Sequence, residues 1–255
     1  MSKASVLVLL ACVSAAAFVG WRVHAMSGAT VNHFAILEDP SSSYTGECEA
    51  AIGSAEEILR SPGASPRSKL IFLALGDGLT ANEPRELGKY DLPVSRKVIE
   101  GGKTKERHEA VLLEKISGAC RSVRPTAISP IFLGVKQALA DLKATGCLKK
   151  SDCKLWVNSD LEENVEPSIR SRLSRASGRG LPAALDNEGI GVTFCGYAST
   201  AGRVLDPTGN EIRRFGARNA AREDRMQNVW RSLFVKAERV TFEPYCPKPG
   251  TSTLY

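Results

Sequence analysis

The chain has little of what most catalytic sites are built from. It holds three histidines in 255 residues. His24 falls in the N-terminal apolar segment, His33 in the first apolar run and His108 on a helix, so none offers an evident general base. The nucleophile elbow G-x-S-x-G, the P-loop and the dinucleotide fingerprint are all missing. Their absence removes the usual sequence grounds for a serine hydrolase, a nucleoside triphosphatase or a nicotinamide enzyme. There is no C-x-x-C pair, and with so few histidines a zinc cluster has no ligand set. No Lys/Arg run with interleaved aromatics occurs, so the formal charge of +6 describes a mildly basic surface, and no nucleic-acid partner is expected. Internal repeats and long polar low-complexity tracts are also lacking.

What is present is an ordinary globular composition, 43% hydrophobic and 24% charged, in a length that fits one domain. Ahead of it stands an uncharged, mostly apolar stretch, Ala4 to Trp21, between Lys3 and Arg22. Residues 1–25 read either as a cleaved signal peptide ending near Ala25 or as an uncleaved membrane anchor over residues 4–21. Residues 26–255 then form the single folded domain. Cysteine usage agrees with export. Beyond the leader stand six: Cys48, Cys120, Cys147, Cys153, Cys195 and Cys246. An even count in an exported chain points to disulfides. Cys147 and Cys153 flank a short helix-to-strand turn, Cys195 and Cys246 end the last two strands, and Cys48 and Cys120 remain.

Along the domain, apolar runs that read as strands cover Val31–Leu37, Lys69–Leu75, Lys154–Asn158, Ile190–Tyr197 and Arg239–Phe242. Leu92–Ile99, with Pro93, reads as an edge strand. Helical spacing marks Glu47–Arg60, Thr104–Gly118, Ser129–Ala144 (capped by Ser129-Pro130), Glu166–Ser177 and Glu211–Ala237, the last containing the longest helix. Strands and helices alternate, which predicts an α/β fold. The sheet should be doubly wound and mainly parallel, with one antiparallel edge strand and helices on both faces. Such folds bind ligands beyond the carboxyl ends of their strands.

Two acidic residues stand at those ends. Asp39-Pro40-Ser41-Ser42-Ser43 follows the first strand, and Asp160 follows Leu155-Trp156-Val157-Asn158-Ser159. Two hydroxyls two residues apart, a carboxylate and a second carboxylate from a neighbouring strand are hard oxygen ligands of the kind Mg²⁺ prefers. Each piece alone has a plainer explanation as a helix cap or turn. Joint placement at the winding switch favours a site. Asp39 would sit on the rim of the sheet, outside the core. Asp77-Gly78 reads as a turn, and Glu162 and Glu163 as solvated loop charges or groups that orient water near the ion.

The D-x-S-x-S pattern, the strand-end Asp160 and the element order over roughly residues 31–245 resemble the von Willebrand factor A family. The resemblance implies a metal-ion-dependent adhesion site formed by Asp39, Ser41, Ser43, Thr126 and Asp160, taking Mg²⁺ or else Mn²⁺ or Ca²⁺. It also implies a protein partner whose carboxylate completes the ion's shell. Thr126, in Arg124-Pro125-Thr126-Ala127-Ile128, lacks the family's usual glycine neighbours, and Asp160 is followed by Leu161 where the family has glycine. Two other functions stay open at this point: a metal-dependent hydrolase, and a scaffold of the same fold without the ion. The first expectation is location. Cell fractionation should recover the protein from the membrane or periplasmic fraction, and full-length chain mainly in soluble cytoplasm would defeat the export reading.

Overall fold

Phe34-Ala35-Ile36-Leu37-Glu38 is buried at every position, as a strand covered on both faces must be. In the computed structural model this segment is β1 (Phe34–Glu38), the first of eight strands among the described residues. The others are β2 (Lys69–Ala74), β3 (Arg85–Asp91), β4 (Cys153–Asn158), β5 (Ile190–Cys195), β6 (Val204–Leu205), β7 (Glu211–Ile212) and β8 (Val240–Glu243). The helices are α1 (Glu47–Arg60), α2 (Gly102–Arg121), α3 (Ile131–Ala144), α4 (Pro167–Leu173) and α5 (Ala217–Arg231), with a 3₁₀ turn at Ala237–Arg239. The structure describes residues 31–41, 47–61, 63–65, 67–76, 83–93, 102–124, 126, 128–163, 165–173, 182–197, 204–205, 211–212 and 217–250. The N-terminal apolar segment lies outside them. Among the described residues no helix is long and apolar enough to cross a membrane.

Six strands form one sheet in the order β3-β2-β1-β4-β5-β8, and β6 pairs with β7 in a separate two-stranded ribbon. All pairings in the large sheet are parallel except that of β3 with β2. This is an α/β fold with a mostly parallel sheet and one antiparallel edge strand. From β1 the chain builds outward through β2 to β3, and from β4 outward through β5 to β8.

The two faces follow from strand alternation. Ala35, Leu37, Leu155, Val157, Val192 and Phe194 pack with Val135, Leu139 and Leu142 of α3 and Trp230 of α5. Phe34, Ile36, Phe72 and Trp156 pack with Ala55 and Ile58 of α1 and Leu112 and Ile116 of α2. Helices therefore cover both faces. On the first face Gly134 lets α3 approach closely: a Cβ there would stand 2.1 Å from Leu75 Cδ2 and 3.1 Å from Leu37 Cδ2. His33, one residue before β1, ties the opposite end of the sheet together. Its Nδ1 accepts from Lys69 N at 3.1 Å, and its carbonyl accepts from Lys154 N at 3.2 Å. Burial and the neighbouring Lys69 hold its pKa below the usual value, opposed by a hydrogen bond to the Thr145 backbone.

Several boundaries differ from the sequence reading. The edge strand is β3, not Leu92–Ile99. Leu92 and Pro93 follow β3, and 94–100 lie outside the described residues. Arg85–Asp91 was obscured because charges and Gly88 interrupt its alternation, yet a polar, half-exposed strand is what an edge position allows. Among the described residues the longest helix is α2, with 20 residues, not the one within Glu211–Ala237. There Glu211–Ile212 is a strand and α5 spans 15 residues. Helix α3 starts at Ile131, and Ser129 does not cap it.

All three expected disulfides are present: Cys48–Cys120, Cys147–Cys153 and Cys195–Cys246. They match folding in an oxidising compartment. Their loops differ in length, with separations of 72, 6 and 51 residues. Loop-closure entropy then gives an ordering. Replacing both Cys48 and Cys120 by Ala should cost about 4 kcal/mol, and the same change at Cys147 and Cys153 about 2 kcal/mol. Urea unfolding of the oxidised variants measures both, and an equal or reversed ranking would contradict the entropic account.

Candidate metal centre

β1 and β4 are hydrogen-bonded neighbours, so the residues that follow them meet. Asp39 comes directly after β1, and its N–H continues the ladder by donating to Asn158 O at 3.0 Å. Ser159 and Asp160 follow β4. All three side chains are buried, with relative exposures of 0%, 0% and 1%. The expectation that Asp39 lies on the rim, outside the core, is thus corrected. The helices and loops beyond the strand ends close over it.

Asp39 is saturated with donors. Its Oδ1 accepts from Ser41 N and from Ser129 Oγ, both at 3.1 Å, and its Oδ2 accepts from Ser159 Oγ at 2.7 Å. Asp160 is held on one side only. Its Oδ1 accepts from Glu162 N at 3.0 Å, and its Oδ2 is buried without a hydrogen-bond partner among the described residues. Burying an unpaired carboxylate oxygen is costly. No Lys or Arg among the described residues pairs with either aspartate. Burial raises the Asp39 pKa to about 6, and the charge of Asp160 adds to the rise; the hydrogen bonds from Ser159, Ser41 and Ser129 act against it.

The loop before α3 supplies the third side of the site. Thr126 N donates to Pro40 O at 3.0 Å, and Ser41 and Thr126 form an isolated parallel bridge. Thr126 Oγ1 accepts from Ile128 N at 3.1 Å, which leaves the hydroxyl oxygen a further lone pair. The end of β2 reaches the same point. At Gly76, which has φ +67°, a Cβ would lie 2.8 Å from Thr126 Cγ2. Structure thus brings together Asp39, Ser41, Thr126 and Asp160. Ser43 and Asp77 lie outside the described residues. Ser129 and Ser159 escaped the sequence reading. Ser129 sits where a helix cap belongs and Ser159 is the plain neighbour of Asp160; only the juxtaposition of β1, β4 and α3 shows both bonded to Asp39.

The residues after Asp160 fix its position. Leu161 has φ +64°, the left-handed region where a side chain is strained. It is held there by complete burial of the side chain and by Trp230 Nε1 donating to its carbonyl at 3.2 Å. Glu163 was expected as a solvated charge or a group near an ion. It is instead buried and spends both carboxylate oxygens on backbone. Oε2 accepts from Phe132 N at 2.7 Å, and Oε1 from Val165 N and Glu166 N at 2.7 and 3.0 Å. It clamps this loop to the N-terminus of α3, where a negative charge is favoured. Glu162 is exposed and pairs with Arg222.

Among the described residues no three His, Cys, Asp or Glu side chains surround a common point. A cation here would rest on two aspartates, hydroxyl oxygens and water. That oxygen-only set suits a hard divalent ion, and the unsatisfied Asp160 Oδ2 is the atom that would gain most from one. Comparison with protein-family models and with curated proteins gave no match.

The Asp39 pKa carries a prediction. Its folded value is raised to about 6. The neutral form is therefore favoured by the fold, and this contribution is complete below the unfolded pKa of about 3.9 and lost as pH rises through about 6. Without divalent ions the domain should gain about 2 kcal/mol from this residue as pH falls from 7 to 4. Burial also raises the Glu163 pKa, in the same direction. The Asp39→Asn variant isolates the first term. Urea unfolding across this pH range should show the gain in wild type and its loss in the variant; identical pH profiles would refute it.

Proposed function

We propose that this chain is an exported, doubly wound domain of the von Willebrand factor A type that binds one divalent cation and, through it, a carboxylate of a protein partner. Mg²⁺ is the ion of choice, with Mn²⁺ and Ca²⁺ as alternatives. Asp160 would meet the ion through Oδ2, with hydroxyls of Ser41, Ser43 and Thr126. Asp39, its oxygens already engaged, would act through water and by its charge. Residues 4–21 would anchor the chain to a membrane if they are not removed. The bound ion supplies an electrophilic position that an outside carboxylate can occupy, since Mg²⁺ keeps exchangeable waters.

One observation carries this reading: a buried Asp160 oxygen with no partner among the described residues, beside a second buried aspartate with a raised pKa, at the ends of adjacent parallel strands from which the chain builds outward in both directions. Ligand sites of α/β sheets fall at that place. Strand order, the helices on both faces and the three disulfides support the domain type and its compartment. A hydrolytic role would need a base near the ion. Glu163, the obvious further carboxylate, is committed to three backbone N–H groups, so protein binding is the better supported use.

The test is calorimetry with Mg²⁺ and with Mn²⁺ on the full chain. Wild type should bind at least one of them below millimolar concentration. Asp160→Asn keeps the shape and removes the charge, and should weaken binding at least tenfold. Asp39→Ala is a poorer probe, because it strands the hydroxyls of Ser129 and Ser159 and so costs stability as well. If neither ion binds at millimolar concentration, or if Asp160→Asn binds as wild type does, the site assignment fails and the ion-free scaffold becomes the reading.

A further inference from the structure

Half of the sheet carries a cleft of about 860 Å³, away from the aspartates. The volume is that of a small-molecule site. Its floor is made by side chains of β4, β5 and β8 that alternate with core residues. Lys154, Trp156, Gly191, Thr193 and Thr241 line it, while Leu155, Val192, Phe194 and Val240 fill the core behind. One wall is α1, through Arg60. The other is the segment after β8, including Tyr245. That second wall is pinned at three points. Cys246 is bonded to Cys195, Gly250 N donates to Glu56 Oε2 at 3.0 Å, and Pro247 O presses so close to α1 that a Cβ on Gly53 would stand 1.9 Å away.

Arg60, Lys154, Arg239 and Lys248 line the cleft with Glu57 and Glu243; Arg60 also pairs with Glu56 and Arg239 with Asp152. Gly191 lies between two of these cations. It pairs with Lys154 across β4 and β5. Arg239 stands one residue before Val240, which pairs with Val192. The backbones of the two residues are thus about two strand spacings, or ~10 Å, apart, with Gly191 contributing no side chain between them, and the Arg239 guanidinium reaches Asp152 at 3.2 Å. Packing does not require this glycine. A Cβ there would meet nothing closer than 3.9 Å, and its φ is not in the left-handed region. Glycine inside a strand weakens it and marks a place where another group comes close to the backbone. Lys154 Nζ rests 5.7 Å from the centroid of the Trp156 ring, and no carboxylate among the described residues pairs with it. Next to this gap Thr193 Oγ1 and Thr241 Oγ1 lie 3.0 Å apart, a pair of hydroxyls with lone pairs to spare. Tyr245, 62% exposed, gives the rim an aromatic face.

We propose that this cleft is a second binding site, separate from the metal centre, for an anionic saccharide. The sugar's carboxylate or phosphate lies over Gly191 between Lys154 and Arg239. Its hydroxyls bond the Thr193–Thr241 pair, and a ring face lies on Tyr245. Charge alone would serve any anion; the hydroxyl pair and the aromatic rim single out a sugar that bears one.

Titration of the full chain with trigalacturonate and with glucose 6-phosphate tests this, with maltotriose and inorganic phosphate alongside. At least one charged sugar should bind tenfold or more tightly than either control, and the better of the two shows whether carboxylate or phosphate is the natural anion. Gly191→Val puts a side chain into open space and suits a strand, so the melting temperature should hold or rise while binding falls at least tenfold. Lys154→Ala should lose a similar factor, and Asp160→Asn should lose nothing. Absence of binding by both charged sugars at millimolar concentration would overturn the proposal. So would phosphate alone binding as tightly as the sugars, or undiminished binding by a folded Gly191→Val variant.

Discussion

Two parallel neighbours, β1 and β4, each deliver a buried aspartate at the same end of the sheet, and the surrounding hydrogen bonds answer the cost of burying those carboxylates. In water two carboxylates at the ends of adjacent strands would be a small cost. Here both are out of contact with solvent, where the effective dielectric is lower and the cost larger. Three donors spread the charge of Asp39, and burial raises its pKa. Among the described residues Asp160 has one donor, on Oδ1, and its Oδ2 has no hydrogen-bond partner. The asymmetry matters more than the count. A pair satisfied on both sides would be a structural network, whereas this one is complete on the Asp39 side and open on the other.

The open side is built on rigid supports. Leu161 stays in a backbone region that disfavours side chains because its own burial and the Trp230 indole outweigh the strain, on the order of 1–3 kcal/mol. Trp230 in turn is packed against Phe194, centroid to centroid at 5.4 Å, and Phe194 stacks on Phe242 at 5.3 Å. Position of the Asp160 loop is therefore set by the aromatic core on the face that α3 and α5 cover. Glu163 supplies the other brace by joining this loop to the N-terminus of α3, the helix whose approach carries Ser129 to Asp39.

Much of this was legible in the sequence. The continuous apolar runs that became β1, β2, β4 and β5 could only be covered strands, and the alternation with helices gave the α/β class. Cysteine pairing followed from spacing and strand order. The polar edge strand was missed because its pattern is set by exposure, not by a core face, and Gly88 breaks it. Asp39 and Asp160 could be found because strand ends are where ligands lie. Their degree of burial could not be read, since it depends on loops closing from α3 and β4. Serines are ambiguous for the same reason: Ser129 reads as a cap, and only the third dimension turns its hydroxyl to Asp39. Leu161 was noticed as a departure from glycine; its tolerance depends on Trp230, 69 residues later.

Pairing of β1 with β4 also governs the order in which the chain can fold. Phe34 finds its partner Lys154 only 120 residues further on, so during synthesis β1 has β2 on one side and a bare edge on the other. Such an edge invites pairing with another chain. Cys48 and Cys120 both precede β4 and can join before it arrives, holding α1 against α2 and the first half of the sheet in register. The last strand in the order, β8, then closes under Cys246. The covalent links thus do more than stabilise the finished domain: they let the N-terminal half wait for the strand that completes it.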